Sequence, residues 1–215
     1  MKKYTALFIG IAMIAPVQAM AAANWTNWTS TDSATFANGT IGSINVTYTG
    51  STFGIDHNPN IYDVPSSFTS GAITNTPGTN GTILMTGGTL VVNNFHFSAP
   101  VVNPVMDLIS VGQPGLPVTF NFLGSTTAFS ILSQGAGHWG GGLLSQSGNS
   151  VTGLEGNGLI QFIGTYTDIS FTTPDYEYYY GATIGAVPEP ETYAMLLAGL
   201  GLLGFMAGRR KESIV

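Results

Sequence analysis

The sequence predicts an all-β fold, a single antiparallel β-sandwich of jelly-roll-like type, in the central part of the chain at residues 24–187. Short segments rich in Thr, Val, Ile, Phe and Tyr recur along this part, and Asn, Gly and Pro separate them. The same part shows no sustained helical periodicity and contains no Lys or Arg, which are good helix formers. A sandwich buries the apolar faces of such strands.

Roughly nine or ten short strands are expected. The clearest ones, 44–48 and 118–122, alternate apolar and polar residues, as strands with one buried face do. In 82–92 the pair Gly87-Gly88 interrupts the β-forming residues and predicts a hairpin turn or a bulge. The predicted strands are 44–48, 82–92, 95–97, 101–111, 118–122, 128–132, 159–163, 166–171 and 178–184.

The charge of the predicted domain excludes one class of partner. Residues 24–187 carry eight acids and no Lys or Arg, so their formal charge is −8. A nucleic-acid-binding surface needs basic side chains to replace phosphate counterions, so we exclude nucleic acid as a partner. The chain has no Cys, which excludes disulfides and a thiol nucleophile.

The N-terminal residues 1–23 predict a secretory signal peptide. Lys2 and Lys3 form a positively charged start, and an apolar run follows at 6–17. Small residues then offer cleavage positions near Ala19, Ala21 or Ala23. Export of the chain is expected.

The C-terminal residues 188–215 predict a membrane-anchored tail. Seventeen uncharged residues, 192–208, lie between Glu191 and Arg209, and as a helix they would be about 25 Å long, enough for a short membrane span. The basic end, Arg209, Arg210 and Lys211, should remain cytoplasmic and thereby set the topology, with the preceding side outside.

The tail has three parts in a fixed order: Pro188-Glu189-Pro190, a Gly- and Leu-rich predicted helix and the terminal Arg-Arg-Lys. In this order it resembles the PEP-CTERM sorting signal of Gram-negative bacteria. The resemblance implies processing near the Pro-Glu-Pro motif by an exosortase-type membrane protease. It also implies passage through the inner membrane to the cell surface or extracellular matrix, often alongside exopolysaccharide production. The segment is also known as an ice-binding protein C-terminal domain, a label that concerns the tail and does not imply ice binding.

One segment of the domain is a candidate calcium site. In residues 56–63, side chains with oxygen atoms stand at positions 1, 3, 5 and 8, and the 1, 3, 5 spacing resembles the start of an EF-hand calcium-binding loop. The Gly and Glu that an EF-hand needs at its sixth and twelfth positions are replaced by Ile61 and Ser67, so it is not an EF-hand. The alternative is an ordinary turn, since Asx residues favour turns. The candidate ligands are Asp56, Asn58, Asn60 and Asp63.

Two further segments are candidate ligand-binding sites. His138 and Trp139 stand in the glycine-rich stretch 135–142, where an aromatic ring can be presented for stacking on a sugar. Tyr178 and Tyr180 belong to a tyrosine-rich stretch that can form an aromatic platform. The alternatives are a mobile hairpin loop and a terminal strand with cross-strand packing, respectively.

No catalytic constellation is evident, so we expect a non-enzymatic structural or adhesive role at the cell surface or in the matrix. No nucleophile elbow or zinc-binding spacing occurs. A carbohydrate-binding module, with exopolysaccharide as partner, is the alternative. A glycan hydrolase ranks third, since it requires two acids facing one cleft, and the sequence does not show whether Asp168, Asp175 and Glu177 do so.

Overall fold

A computed structural model describes residues 20–124, 128–188 and 198–203 of the chain. Most of the predicted signal peptide, together with Glu189, Pro190 and the basic end, lies outside these residues. Within them are fifteen strands, and all of their pairings are antiparallel. In chain order these are β1 (Asn24–Trp25), β2 (Asn27–Ser33), β3 (Phe36–Ile41), β4 (Ile44–Thr49), β5 (Gly54–Asp56), β6 (Thr82–Met85), β7 (Asn93–Val102), β8 (Val105–Val111), β9 (Val118–Phe122), β10 (Phe129–Gly135), β11 (Leu144–Ser147), β12 (Ser150–Gly153), β13 (Gly156–Phe162), β14 (Thr165–Thr172) and β15 (Tyr180–Ala186).

The strands form two sheets, which confirms the predicted antiparallel β-sandwich. The seven-stranded sheet has the order β10-β13-β8-β15-β6-β5, and β1 pairs with the end of β15. The eight-stranded sheet has the order β11-β12-β9-β14-β7-β4-β3-β2. From β6 to β10, and again from β12 to β15, each successive strand lies in the opposite sheet. Such alternation is typical of jelly rolls.

The core between the sheets is dominated by phenylalanine rings. In β9 the side chains of Val118, Phe120 and Phe122 are buried and alternate with partly exposed polar residues, as the period of a strand requires. The Phe122 ring packs edge-on against Phe162 of the other sheet, with 5.0 Å between ring centroids. Burial of each such side chain contributes about 1.5–3 kcal/mol to stability.

The outer face of the seven-stranded sheet is also covered. Two apolar clusters lie there: one combines Trp25 and Ile73 with Leu159, and the other combines Phe68 with Ile109. These clusters draw on Ala23, Trp25 and the long β5–β6 connection. That connection contains three short 3₁₀ helices, Pro59–Tyr62, Pro65–Ser67 and Gly78–Asn80. As a result, β8 is covered on both faces, and all seven of its residues are buried.

The region around Gly87-Gly88 differs from the prediction. Strand β6 ends at Met85, and its neighbours are β5 and β15, so it forms no hairpin with β7. The N–H of Gly87 donates to the carbonyl oxygen of Glu177 at 3.2 Å, and that of Gly88 to the carbonyl of Thr173 at 3.1 Å. The two glycines therefore allow close contact with the β14–β15 connection, because neither carries a Cβ.

Residues 198–203 are helical. Among the residues described, no helix has the length and apolar character needed to span a membrane. The predicted span, 192–208, falls largely outside the described part of the chain and stays a prediction.

Candidate functional site

A cleft of about 330 Å³ opens at one end of the sandwich. Four connections border it, those between β8 and β9, β10 and β11, β12 and β13, and β14 and β15. Its volume falls within the range of small-molecule sites. We call it the aromatic–carboxylate cleft, and its lining consists of Ser110, Gln113, Trp139, Glu155, Glu177 and Tyr179.

A β-bulge shapes one wall of the cleft. The pairing of β8 with β13 shifts register between Gly156 and Gly158, which leaves one extra residue in β8. Ser110 lies in this bulge with a φ of 50°, an uncommon conformation for a residue other than glycine. Its N–H donates to Asn157 Oδ1 at 2.8 Å, a bond that stabilises this conformation.

Glu155 is held in a second left-handed conformation, in the short turn between β12 and β13. Its φ is 59°, its N–H donates to the carbonyl oxygen of Gly112 at 3.1 Å, and its own carbonyl accepts the N–H of Gly142. The hydroxyl of Ser110 donates to Glu155 Oε2 at 3.4 Å. Residues in such sparsely populated conformations concentrate at functional sites.

Glu177 contributes the second carboxyl group. It is only 4% exposed, and its Oε2 accepts the N–H of Gly112 at 2.7 Å. Burial raises the pKa of Glu177 to about 7, and the negative charge of Glu155 adds to this increase, whereas the Gly112 hydrogen bond opposes it. The cleft therefore combines two carboxyl groups that interact electrostatically.

Trp139 forms an aromatic wall, and the glycine-rich stretch around it is packed rather than loosely attached. The N–H of Gly142 donates to Glu155 O at 3.0 Å, and a Cβ on Gly142 would collide with the carbonyl oxygen of Leu154. Asn157 Nδ2 donates to the Trp139 carbonyl at 3.4 Å. The Trp139 side chain remains 37% exposed.

His138 supports this wall from outside the cleft lining. Its ring meets that of Trp139 edge-on, with 4.9 Å between centroids. Its Nδ1 lies 3.0 Å from Asp63 Oδ2, so the glycine-rich stretch is linked to the β5–β6 connection. The structure thus brings together the glycine-rich stretch, a candidate ligand-binding segment, and Asp63 of the candidate calcium segment.

The tyrosine-rich segment divides between surface and core. Tyr179 is 70% exposed and borders both the cleft and a neighbouring hollow of about 250 Å³ that Phe53, Thr86 and Tyr178 also line. Tyr178 is exposed, whereas Tyr180 is fully buried and packs edge-on against Phe120 in the core. Tyr178 is therefore available to a ligand, and Tyr180 is not.

The candidate calcium ligands act largely as turn-forming groups. Asp56 Oδ1 accepts the N–H of Asn58 at 2.8 Å, and Asn58 Oδ1 accepts the N–H of Asn60 at 3.1 Å, which caps the first 3₁₀ helix. Asp63 pairs with His138. In the described part of the chain, no group of three or more His, Cys, Asp or Glu side chains is arranged to hold a metal. Calcium binding by these residues stays a prediction.

Sequence reasoning identified some cleft residues and missed others. Trp139 was predicted as a ligand contact, and Glu177 was considered as one acid of a pair. Nothing in the sequence singles out Ser110, Gln113 or Glu155 as lining residues, whereas Tyr179 belongs to the tyrosine-rich stretch. The only local signal for Glu155 is an acid in a short turn before Gly156, and nothing in that pattern indicates which cleft it borders.

Comparison with known proteins identifies the C-terminal segment. Searches of curated proteins and of solved structures found no match to the chain. A family model described as the PEP-CTERM protein-sorting motif matches residues 186–211, which begin at the last residue of β15 and include Pro188, Glu189 and Pro190. The motif implies export, processing by exosortase and sorting to the cell surface. The chain is therefore a β-sandwich protein that carries a PEP-CTERM sorting motif.

Proposed function

We propose that this protein is a non-enzymatic adhesive component of the cell surface or extracellular matrix, which binds glycan through the aromatic–carboxylate cleft. The sorting motif supports the destination. The observation that carries the binding role is the meeting of Trp139, Tyr179 and two carboxyl groups in one open cleft. Exopolysaccharide at the cell exterior is the partner that this destination favours.

The chemistry of the cleft suits a sugar. A sugar ring presents an apolar face, which stacks on an aromatic side chain, and hydroxyl groups, which donate hydrogen bonds to carboxylate oxygens. Trp139 and Tyr179 supply the rings, and Glu155 and Glu177 supply the acceptors. We also infer a jelly-roll topology from the alternation of strands between sheets, and lectin domains are among the proteins built on jelly rolls. Fold alone does not decide function, so the argument rests on the cleft.

A binding experiment tests this role. The purified full-length chain is applied to a glycan array and to exopolysaccharide from its own cells, in parallel with Trp139→Ala. Loss of the stacking wall should weaken binding by about tenfold or more. Leu116→Ala, at an exposed position outside the cleft lining, is the matched control and should bind normally. If the chain binds no glycan, the proposal is wrong.

Cell fractionation tests the destination. Intact-mass spectrometry of the native protein, from membrane and medium separately, should give a mass that lacks the signal peptide and the residues after about Pro188. A mass that retains Arg209, Arg210 and Lys211 would instead indicate a simple membrane-anchored surface protein and contradict exosortase processing.

A glycan hydrolase is the second candidate, and the paired carboxyl groups favour it. A carboxyl with a raised pKa beside a second carboxyl is the arrangement of an acid and its partner in glycosidases. The test is turnover on a broad polysaccharide panel with the native chain and with Glu177→Gln. Turnover that disappears in the variant would make the protein an enzyme, and no turnover on any polysaccharide would exclude this candidate.

A further inference from the structure

Within the described part of the chain, no Lys or Arg neutralises the carboxyl groups of the cleft. Residues 24–187 contain no Lys or Arg. His138, next to Trp139 in sequence, is paired with Asp63. Burial and, to a smaller extent, the negative charge of Glu155 raise the pKa of Glu177, as expected for two carboxyl groups that repel each other when both are ionised.

The hydrogen bonds of these carboxyl groups use one oxygen of each. Glu177 Oε2 accepts the N–H of Gly112, and Glu155 Oε2 accepts the Ser110 hydroxyl at the longer distance of 3.4 Å. A carboxylate offers about four lone-pair sites, so both groups retain the capacity to accept hydrogen bonds from a ligand. A cationic donor would form the strongest of these bonds.

The aromatic walls favour the same kind of ligand. Trp139 and Tyr179 line the cleft together with the carboxyl groups. An aromatic face attracts a cation as well as the apolar face of a sugar ring. A ligand that carries both a sugar ring and an ammonium group therefore matches all four side chains.

We propose that the aromatic–carboxylate cleft is specific for amino sugars, with a protonated amine placed between Glu155 and Glu177 and the ring against Trp139 and Tyr179. This inference rests on the proposed glycan-binding function and specifies its ligand class. Sugars that bear carboxylates are disfavoured, because like charges within a few ångströms repel and the domain has no Lys or Arg to offset the repulsion. The neighbouring hollow shares Tyr179 with the cleft, which provides a path for further units of a polysaccharide.

Calorimetric titration of the purified full-length chain with three oligosaccharides of equal length tests the proposal. The probes are a glucosamine oligomer, its fully N-acetylated counterpart, and an oligogalacturonate. The glucosamine oligomer should bind about tenfold or more tightly than the acetylated one, and the oligogalacturonate should not bind. A linear polyamine of similar charge should bind more weakly, because it offers no ring for stacking.

Charge-matched variants complete the design. Glu155→Gln and Glu177→Gln should each reduce the preference for the amine about tenfold while binding to the acetylated oligomer persists. Asp168→Asn changes the net charge equally, but Asp168 lies on β14 outside the cleft lining. This variant should therefore prefer the glucosamine oligomer over the acetylated one as strongly as the native chain does. Circular dichroism of each variant confirms that it is folded.

The possible failures are distinguishable. Equal affinity for the amino and acetylated oligomers would overturn the amino-sugar proposal and leave glycan binding intact. A polyamine that binds as tightly as the amino-sugar oligomer would also overturn it, since charge alone would then explain binding. If none of the oligosaccharides binds and the glycan array is also negative, the proposed function itself is wrong.

Discussion

Asp107 lies on β8 with both carboxylate oxygens buried and, among the described residues, without a hydrogen-bond partner. It faces the outer side of the seven-stranded sheet, where Ile109 and Leu159 belong to the apolar clusters. Burial raises the pKa of Asp107 well above its usual value, because the charged form loses its hydration. The native state therefore favours the protonated carboxyl.

We expect Asp107→Asn to stabilise the protein at neutral pH. A raised folded pKa contributes stability that is present below the unfolded pKa of about 3.9 and is lost as the pH rises through the folded value. Asn has no such charge, so the variant should equal the native chain near pH 3 and exceed it near pH 7. Urea unfolding between pH 3 and 8 measures the difference.

Asp168→Asn is the opposite control. Partial burial raises the pKa of Asp168, but hydrogen bonds from Asn94 and His96 outweigh this and lower it overall. Its contribution is therefore present above the unfolded pKa and lost as the pH falls, so this variant should be slightly less stable at neutral pH, by less than about 1 kcal/mol. If Asp107→Asn instead lowers the stability at pH 7, the raised pKa of Asp107 in the native state is contradicted.

Glu177, like Asp107, has a raised pKa in the native state, but it lies at the cleft. Its contribution is present below the unfolded pKa of about 4.3 and disappears as the pH rises through about 7. Glu177→Gln should be up to roughly 3 kcal/mol more stable than the native chain at pH 8 and equally stable at pH 4. The same variant should bind the glucosamine oligomer less tightly, and this trade-off separates a functional carboxyl from a purely structural one. Thermal unfolding and titration of one preparation measure both properties.

At the scale of elements, the cleft depends on close contacts between connections. The glycine-rich stretch packs on residues 154–157, and it joins β10 and β11, which lie in different sheets, so it does not connect a hairpin. Here, a Cβ on Gly142 would overlap the carbonyl oxygen of Leu154.

Gly142→Ala is therefore expected to lower the free energy of unfolding by about 1–3 kcal/mol and to weaken glycan binding, since the backbone must move away from Leu154. Gly141→Ala is a matched control in the same stretch, because its Cβ would have only an ordinary contact of 4.0 Å with Ala136. Urea unfolding measures both variants. Equal effects at Gly141 and Gly142 would contradict the close packing of this stretch.

At the scale of the whole molecule, the domain begins before residue 24. The N–H of Ala21 donates to Ala72 O at 2.8 Å, and that of Ala23 to Asn75 Oδ1 at 2.7 Å. Both alanines are buried. Signal-peptide cleavage after Ala19 would preserve these contacts, whereas cleavage after Ala23 would remove them.

A comparison of two fragments tests this boundary. Residues 20–188 should unfold at the same temperature as the full chain, because the three apolar clusters lie within them. Residues 24–188 should be less stable by roughly 2–4 kcal/mol, since they lose several hydrogen bonds and two buried side chains. If the two fragments are equally stable, the N-terminal contacts contribute nothing and cleavage at any of the three positions is acceptable.

The sequence by itself determined the class of fold and the destination motif. Both are encoded locally: alternating residues such as Val118, Phe120 and Phe122 report a half-buried strand, and the Pro-Glu-Pro tail is a contiguous motif. The absence of Lys and Arg from residues 24–187, also a property of the sequence, excluded nucleic acid as a partner of this domain. Weakly patterned strands such as β11 and β12 were missed, because half of their length or more is Ser, Gln or Gly.

Only the tertiary structure decided the site. Trp139, Glu155 and Glu177 come from three different connections, and their meeting depends on strand order and register, which local patterns do not encode. For the same reason, the sequence could not separate buried Tyr180 from exposed Tyr179. The side chains of successive strand residues point to opposite faces, but only the packing of the second sheet determines which face is the core.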